Sequence, residues 1–329
     1  MQFLKFKSLL PAAALAVLCS CSTFDEEKIT LDGERISVLD GETALQPDYA
    51  PGQVKIVLPA PYTNTAWSQN GGNATHMMGH LSSDSKLKEL WESGFGEGSS
   101  KRDFLIAAPV SAHKAVFTID ADGIVNAFRL DDGRKIWKRR LKPLIKDDIS
   151  TSLKGAGLAV FDKKVYATTG FGAVFALDMV TGKKLWRYDT ELPIRIAPTA
   201  ERGVVFIQTI DNKLIALNGV DGSVLWDYKS PSEETTLVGG ASPAYSPQQD
   251  TIVAAFSNGE LRAFKASTGS PLWSDILVSR KRTNSPANIN AIKANPVIDG
   301  STVYAVGNNN ILVAIDLRSG ARIWEREIG

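Results

Sequence analysis

Tryptophan recurs along this chain as Trp137, Trp186, Trp226, Trp273 and Trp324, at separations of 49, 40, 47 and 51 residues. Four residues before each stands a glycine: Gly133, Gly182, Gly222, Gly269 and Gly320. Ten residues before each stands an alanine: Ala127, Ala176, Ala216, Ala263 and Ala314. Ile136, Leu185, Leu225, Leu272 and Ile323 immediately precede the tryptophans. Agreement at four positions in five registers identifies one structural unit repeated five times. Such a unit cannot bury its apolar face alone and must stack on its neighbours, so the repeat decides the architecture.

Each unit reads as β-structure. In the second, the stretches 165–169, 173–178 and 184–186 are rich in β-branched and aromatic residues, and turn residues separate them at hairpin spacing. No unit sustains a 3.6-residue apolar period, which excludes helical solenoids. The expected fold is all-β, a β-propeller of four-stranded blades, because units of this length packed radially leave only short, protected edges. The repeated Gly fits a turn position with positive φ. The repeated Ala fits a crowded point that admits no larger group. Pro109, Pro198 and Pro296 lie 28 residues before their tryptophans and Pro243 lies 30 before, at expected strand starts where a missing N–H does no harm. A tryptophan present in every unit serves the shared architecture, covering the next blade, rather than a row of stacked ligands.

Residues 1–20 read as a secretory signal, with Lys5 and Lys7 before a short apolar run from Leu9 to Leu18. That run is too short to span a bilayer. Leu18, Cys19, Ser20 and Cys21 follow the pattern of a bacterial lipobox, so cleavage after Ser20 and lipidation of Cys21 are expected, with the body of the protein periplasmic. Ser22, not Asp, follows, which gives no signal for inner-membrane retention. Residues 21–85 read as a lipidated tether with one or two docking strands, and 86–329 as the propeller. Within the tether, His76 and His80 are four apart, but no third ligand is near, and a packing or loop role is expected instead of a metal site. Lys+Arg total 37 against 36 Asp+Glu, a balance that gives no footprint for nucleic acid. Cys19 and Cys21 are the only cysteines, which excludes a disulfide framework or cysteine zinc site in the body.

The signature Ala176-Leu177-Asp178 followed by Thr181-Gly182-Lys183-Lys184-Leu185-Trp186, with its four variants, resembles the quinoprotein-type (PQQ-like) propeller repeat. Joined to the lipobox and to Trp67-Ser68-Gln69-Asn70-Gly71-Gly72-Asn73, it resembles the BamB family of outer-membrane β-barrel assembly lipoproteins, in its alphaproteobacterial form. The likeness runs from Cys21 onward. It implies an eight-bladed propeller, whereas five full units are present. Leu90-Trp91 reads as a sixth Trp-bearing strand before the first unit, and six such strands cannot close a ring with five sets of the others. The expectation is a chain shortened at its C-terminal end by about three blades, on the order of 120 residues.

The resemblance further implies a non-enzymatic scaffold whose interblade loops hold the POTRA domains of the barrel-inserting subunit BamA. Other BAM subunits and unfolded outer-membrane proteins would be further partners, with the lipid anchor in the outer membrane. The contact loops would be 233–240 and 284–295, with Thr235, Leu237, Val238, Ala291 and Lys293 at the contact positions. Leu237 matches a family leucine. Val238 stands where the family has Arg, and Ala291 and Lys293 lie near the positions of an acidic pair. Arg280, Lys281 and Arg282 form a basic run beside the second loop. An open blade edge would also allow pairing with an unfolded client strand.

The same repeat occurs in quinoprotein dehydrogenases, which makes a periplasmic PQQ-dependent oxidoreductase the alternative reading. A polysaccharide-binding propeller is a weaker one. Against the enzyme, the vicinal Cys pair is absent, and Asp120, Asp122, Asp211 and Asp316 read as turn formers. His113 stands alone, and no nucleophile set or phosphate-cradling loop is apparent. No catalytic residue, cofactor or metal is therefore expected.

Overall fold

In the computed structural model the described residues are 49–50, 52–84, 86–101, 103–144, 155–232, 239–277 and 291–328. Residues 1–20, Cys21, Thr235, Leu237, Val238 and the basic run 280–282 lie outside them. The chain divides into two compact units, Met1–Gln46 and Pro47–Gly329, and the second holds all described residues.

Among the described residues, twenty strands form five antiparallel sheets of four, each in chain order. Blade 1 is β1 (Val110–Ala112), β2 (Ala115–Ile119), β3 (Ile124–Arg129) and β4 (Lys135–Arg140). Blade 2 is β5 (Gly155–Phe161), β6 (Lys164–Thr169), β7 (Ala173–Asp178) and β8 (Lys184–Asp189). Blade 3 is β9 (Thr199–Glu201), β10 (Val204–Gln208), β11 (Lys213–Asn218) and β12 (Val224–Lys229). Blade 4 is β13 (Ala244–Ser246), β14 (Thr251–Ala255), β15 (Glu260–Lys265) and β16 (Pro271–Ile276). Blade 5 is β17 (Val297–Asp299), β18 (Thr302–Val306), β19 (Ile311–Asp316) and β20 (Arg322–Glu327). The inner strands β1, β5, β9, β13 and β17 abut one another in that order, as in a β-propeller. The four prolines lie immediately before β1, β9, β13 and β17 rather than in them.

The repeat is legible in the register. Each constant Ala is the direct cross-strand partner of its Trp, as in Ala127↔Trp137 and Ala216↔Trp226, with a bulge just after the Ala. On its other side the same Ala faces Phe117, Tyr166, Phe206, Val253 or Tyr304. The aromatic and the Trp therefore meet over a methyl group, with ring centroids 5.9 Å apart for Phe117–Trp137 and 5.8 Å for Tyr166–Trp186. A larger residue in the middle would push the rings apart.

Trp137, Trp186, Trp226 and Trp273 then each reach the next blade. The indole N–H of Trp137 donates to the Met179 carbonyl at 2.9 Å, and that of Trp226 to Ala266 at 2.7 Å. Each ring lies on the repeated Gly of that blade, so that a Cβ on Gly182 would come within 2.6 Å of Trp137 and one on Gly222 within 2.7 Å of Trp186. The cores accordingly lie between blades: one cluster spans blades 1 and 2, and the others span 2 and 3, 3 and 4, and 4 and 5. Tilted aromatic contacts, such as Trp226 against Phe264 at 5.8 Å, and apolar burial are the interblade adhesive.

Trp91 departs from expectation in one respect. Residues 86–101 carry no strand, so the sixth Trp-bearing strand is not formed. Its side chain nonetheless occupies the place of a preceding blade's Trp. The indole N–H donates to Leu130 O at 2.9 Å and the ring lies against Gly133. The segment is held by this ring and by backbone contacts at residues 95–97, where Asn126 donates to Phe95 O at 2.7 Å, and not by a ladder.

Candidate functional site

Because the strands of a blade alternate in direction, the β2–β3-type turns and the interblade loops share one face. The tight turns bearing the repeated Gly lie on the other. A cleft on the first of these faces, and a segment threaded along the inner strands beside it, define the candidate site.

Residues 67–76, which the sequence placed in the tether, thread past the inner strand of every blade. Trp67 exchanges backbone hydrogen bonds with Ser111 of blade 1, at 2.8 and 2.7 Å. Val160 of blade 2 donates to Ser68 O at 2.7 Å. The buried Gln69 side chain accepts from Ala200 N of blade 3 at 2.9 Å and donates to Ala200 O at 3.4 Å. Tyr245 N of blade 4 donates to Ala74 O at 2.7 Å, and Ile298 N of blade 5 to Thr75 O at 2.9 Å. The inner strands would otherwise present unpaired donors along their edge, a cost this segment removes.

His76 closes the thread. Its Nδ1–H donates to the Pro296 carbonyl at 2.7 Å, and burial pushes its pKa below the ordinary imidazole value, so it stands neutral. It serves packing. His80 Nδ1 instead meets Pro59 O at 2.8 Å on an exposed stretch, and the two rings share no ligand set. Among the described residues no group of His, Cys, Asp and Glu is placed to hold a metal. Asp120 and Asp316 accept backbone N–H bonds in their turns, from Ile124 at 2.8 Å and Ser319 at 2.8 Å. Asp122 and Asp211 instead meet Arg140 at 3.5 Å and Lys229 at 2.6 Å.

Beside the thread lies a cleft of about 50 Å³ between blades 3, 4 and 5. Gly239 and Gly240, from the end of the first expected contact loop, line it together with Ala291 and Lys293 from the second. The two loops thus converge, although some fifty residues separate them in the chain. The second loop is pinned by backbone bonds, Ile292 N to Phe256 O at 3.3 Å and Asn308 N to Ala291 O at 3.0 Å. Ala291 is buried, and Lys293 is half-buried at the rim.

Sequence reasoning missed the remaining walls. Arg195, half-buried, projects from the loop between blades 2 and 3 and also borders an adjoining hollow of about 140 Å³ against Asn70 and Leu158. Gln208 and Ser257 contribute two buried oxygens, Oε1 and Oγ, without protein partners. A partner's donor or a water would satisfy them. The lining holds two cations, amides, hydroxyls and glycine backbone, and among the described residues no carboxylate. None of these three residues belongs to the repeat, and no periodic signal marks them.

The family model for outer membrane protein assembly factor BamB matches residues 121–329. The chain belongs to the BamB family. A BamB of Moranella endobia is 26% identical over 248 residues, 74% of this chain and 63% of that protein. The BamB of Vibrio cholerae is 32% identical over 239 residues, 73% of this chain and 60% of its own. The BamB of Shewanella oneidensis is 26% identical over 326 residues, 98% of this chain and 71% of its own. The chain thus spans about three-fifths of the length of most of these curated BamB relatives.

Among solved structures, the crystal structure of BamB from Moraxella catarrhalis superposes with a TM-score of 0.58 at 18% identity, covering 71% of this chain and 68% of that one. A quinohemoprotein alcohol dehydrogenase from Pseudomonas putida HK5 gives 0.60 at 18%, covering 80% and 48%. At these identities the likeness establishes the fold, a β-propeller shared by BamB proteins and quinoprotein dehydrogenases.

Proposed function

We propose that this chain is a non-enzymatic scaffold in outer-membrane protein assembly. In this reading acyl chains on Cys21 tether it to the periplasmic face of the outer membrane. It holds the POTRA domains of BamA alongside other BAM subunits and promotes insertion of unfolded barrel proteins. The observation that carries the reading is the convergence of the two contact loops on one cleft, at Gly239, Gly240, Ala291 and Lys293. Thr235, Leu237 and Val238 belong to the same proposed contact.

The cleft's charge sharpens the proposal. Near the positions where the family resemblance implies an acidic pair, Ala291 and Lys293 stand, and Arg195 adds a second cation. The surface that enters here carries carboxylates or carbonyls, since charge complementarity sets which partner docks. A calcium-bound quinone does not fit this cleft. Calcium takes about six to eight oxygen ligands, carboxylates prominent among them, and the described lining offers no Asp or Glu.

The test is affinity capture from solubilised outer membranes with tagged full-length protein. The wild type recovers BamA, and Arg195→Glu loses most of it at an unchanged melting temperature. Failure of the wild type to recover BamA overturns the function. Retention by Arg195→Glu overturns the site.

A further inference from the structure

Repeat proteins expose their specialisations as departures from the repeat, and one outer strand departs sharply in charge. β4 carries Lys135, Lys138, Arg139 and Arg140, a net +4, against +1 for β8, 0 for β12, −1 for β16 and 0 for β20. Residues 134–142 hold six cations and no carboxylate, in a chain whose total charge is +1. Edge protection by lysine does not account for this, since the four other outer strands present the same kind of edge without it.

The cations are outward and mostly uncompensated. Arg134 and Arg140 meet Asp132 and Asp122, whereas Lys138, Arg139 and Lys142 are exposed and, among the described residues, meet no carboxylate. The strip continues onto blade 2. Arg139 donates to Gly182 O at 2.8 Å and Arg187 to Lys142 O at 2.8 Å, which fixes exposed Lys183 and Lys184 alongside. Exposed Leu130, Ile136 and Leu144 lie among these charges. The two hollows described above lie on the interblade-loop face and not along this rim.

We propose that this outer rim of blades 1 and 2 is a docking surface for anionic phospholipid, laying the propeller's side against a bilayer. Long, flexible cations interleaved with exposed aliphatic side chains, without a pocket, match a plane of headgroups above an apolar layer. An acidic peptide would call for a groove, and neither hollow described above lies on the rim. The proposal is independent of the cleft and of its partner.

Vesicle flotation tests it, with the full chain carrying Cys21→Ser so that no acyl anchor contributes. Vesicles of phosphatidylglycerol with phosphatidylethanolamine capture the protein, phosphatidylcholine vesicles do not, and high salt releases it. Lys138→Gln with Lys142→Gln weakens capture about 25-fold, each cation contributing roughly a factor of five. Lys265→Gln with Arg318→Gln, the same charge change on blades 4 and 5, leaves capture unchanged. Equal capture of the two double variants overturns the proposal, as does absence of capture by phosphatidylglycerol. Retention of wild type but not the rim variant on immobilised polyglutamate, with vesicle capture equal for both, would assign the rim to an acidic protein instead. Equal melting temperatures of the variants keep misfolding out of the comparison.

Discussion

Gly222 and Gly203 offer a matched pair for weighing the interblade contact. Both sit in turns of blade 3 at a φ of +78°, so an alanine at either suffers the same left-handed strain, about 1–2 kcal/mol. A Cβ on Gly203 meets nothing within 4 Å. A Cβ on Gly222 comes within 2.7 Å of Cε3 and 2.9 Å of Cδ2 of Trp186. That indole is 7% exposed, packs 5.8 Å from the Tyr166 ring and donates to Gly219 O at 3.2 Å, so it cannot swing aside without losing these contacts. Overpacking of this kind costs about 1–3 kcal/mol, and Gly222→Ala should exceed Gly203→Ala by that amount in urea unfolding. On a Trp186→Ala background, itself destabilised by about 3–5 kcal/mol, the two glycine variants should become equal. Equal destabilisation by both variants in the wild-type background would refute the account of the repeated Gly–Trp contact.

Three further outcomes follow from the same geometry. Ala216→Leu, between Phe206 and Trp226, should destabilise by about 1–3 kcal/mol by forcing those rings apart, seen as a lowered melting temperature with quenched or shifted tryptophan emission. Gln69→Leu should cost about 1–3 kcal/mol by leaving Ala200 N unpaired at the inner strand of blade 3, with faster amide exchange confined largely to that strand. His76 is held neutral by burial, so the unfolded chain takes up its proton first as pH falls below the ordinary imidazole value. Its contribution is complete above that value and is lost on acidification, with a slope no steeper than about 1.4 kcal/mol per pH unit. His76→Gln should flatten the melting temperature between neutral and mildly acidic pH.

Much of the fold was legible because the repeat writes each packing contact five times. Trp137 and its counterparts, the Gly four residues earlier and the Ala ten residues earlier are respectively the ring, the surface it lies on and the gap it lies across. The threaded segment was not legible. Its partners are mainly backbone groups such as Ser111 N and Tyr245 N, which every sequence possesses, and it lies outside the repeat. Its paired glycines, Gly71 and Gly72, and the polar Gln69 and Asn70 were the available signal. Trp91 illustrates the opposite error: the side chain was read correctly as a blade-type tryptophan, but its anchoring needs no strand. The cleft was half legible. Ala291 and Lys293 came from the family resemblance, whereas Arg195, Gln208 and Ser257 come from separate loops and turns that only the blade stacking brings together.

A photo-crosslinkable residue in place of Lys293, at the cleft rim, compared with one in place of Val220, exposed on the opposite face, tests the scaffold reading most directly in intact cells. The account predicts an adduct containing BamA from position 293 and none from position 220. BamA adducts from position 220 alone, or from neither position with the protein at normal abundance, would contradict it.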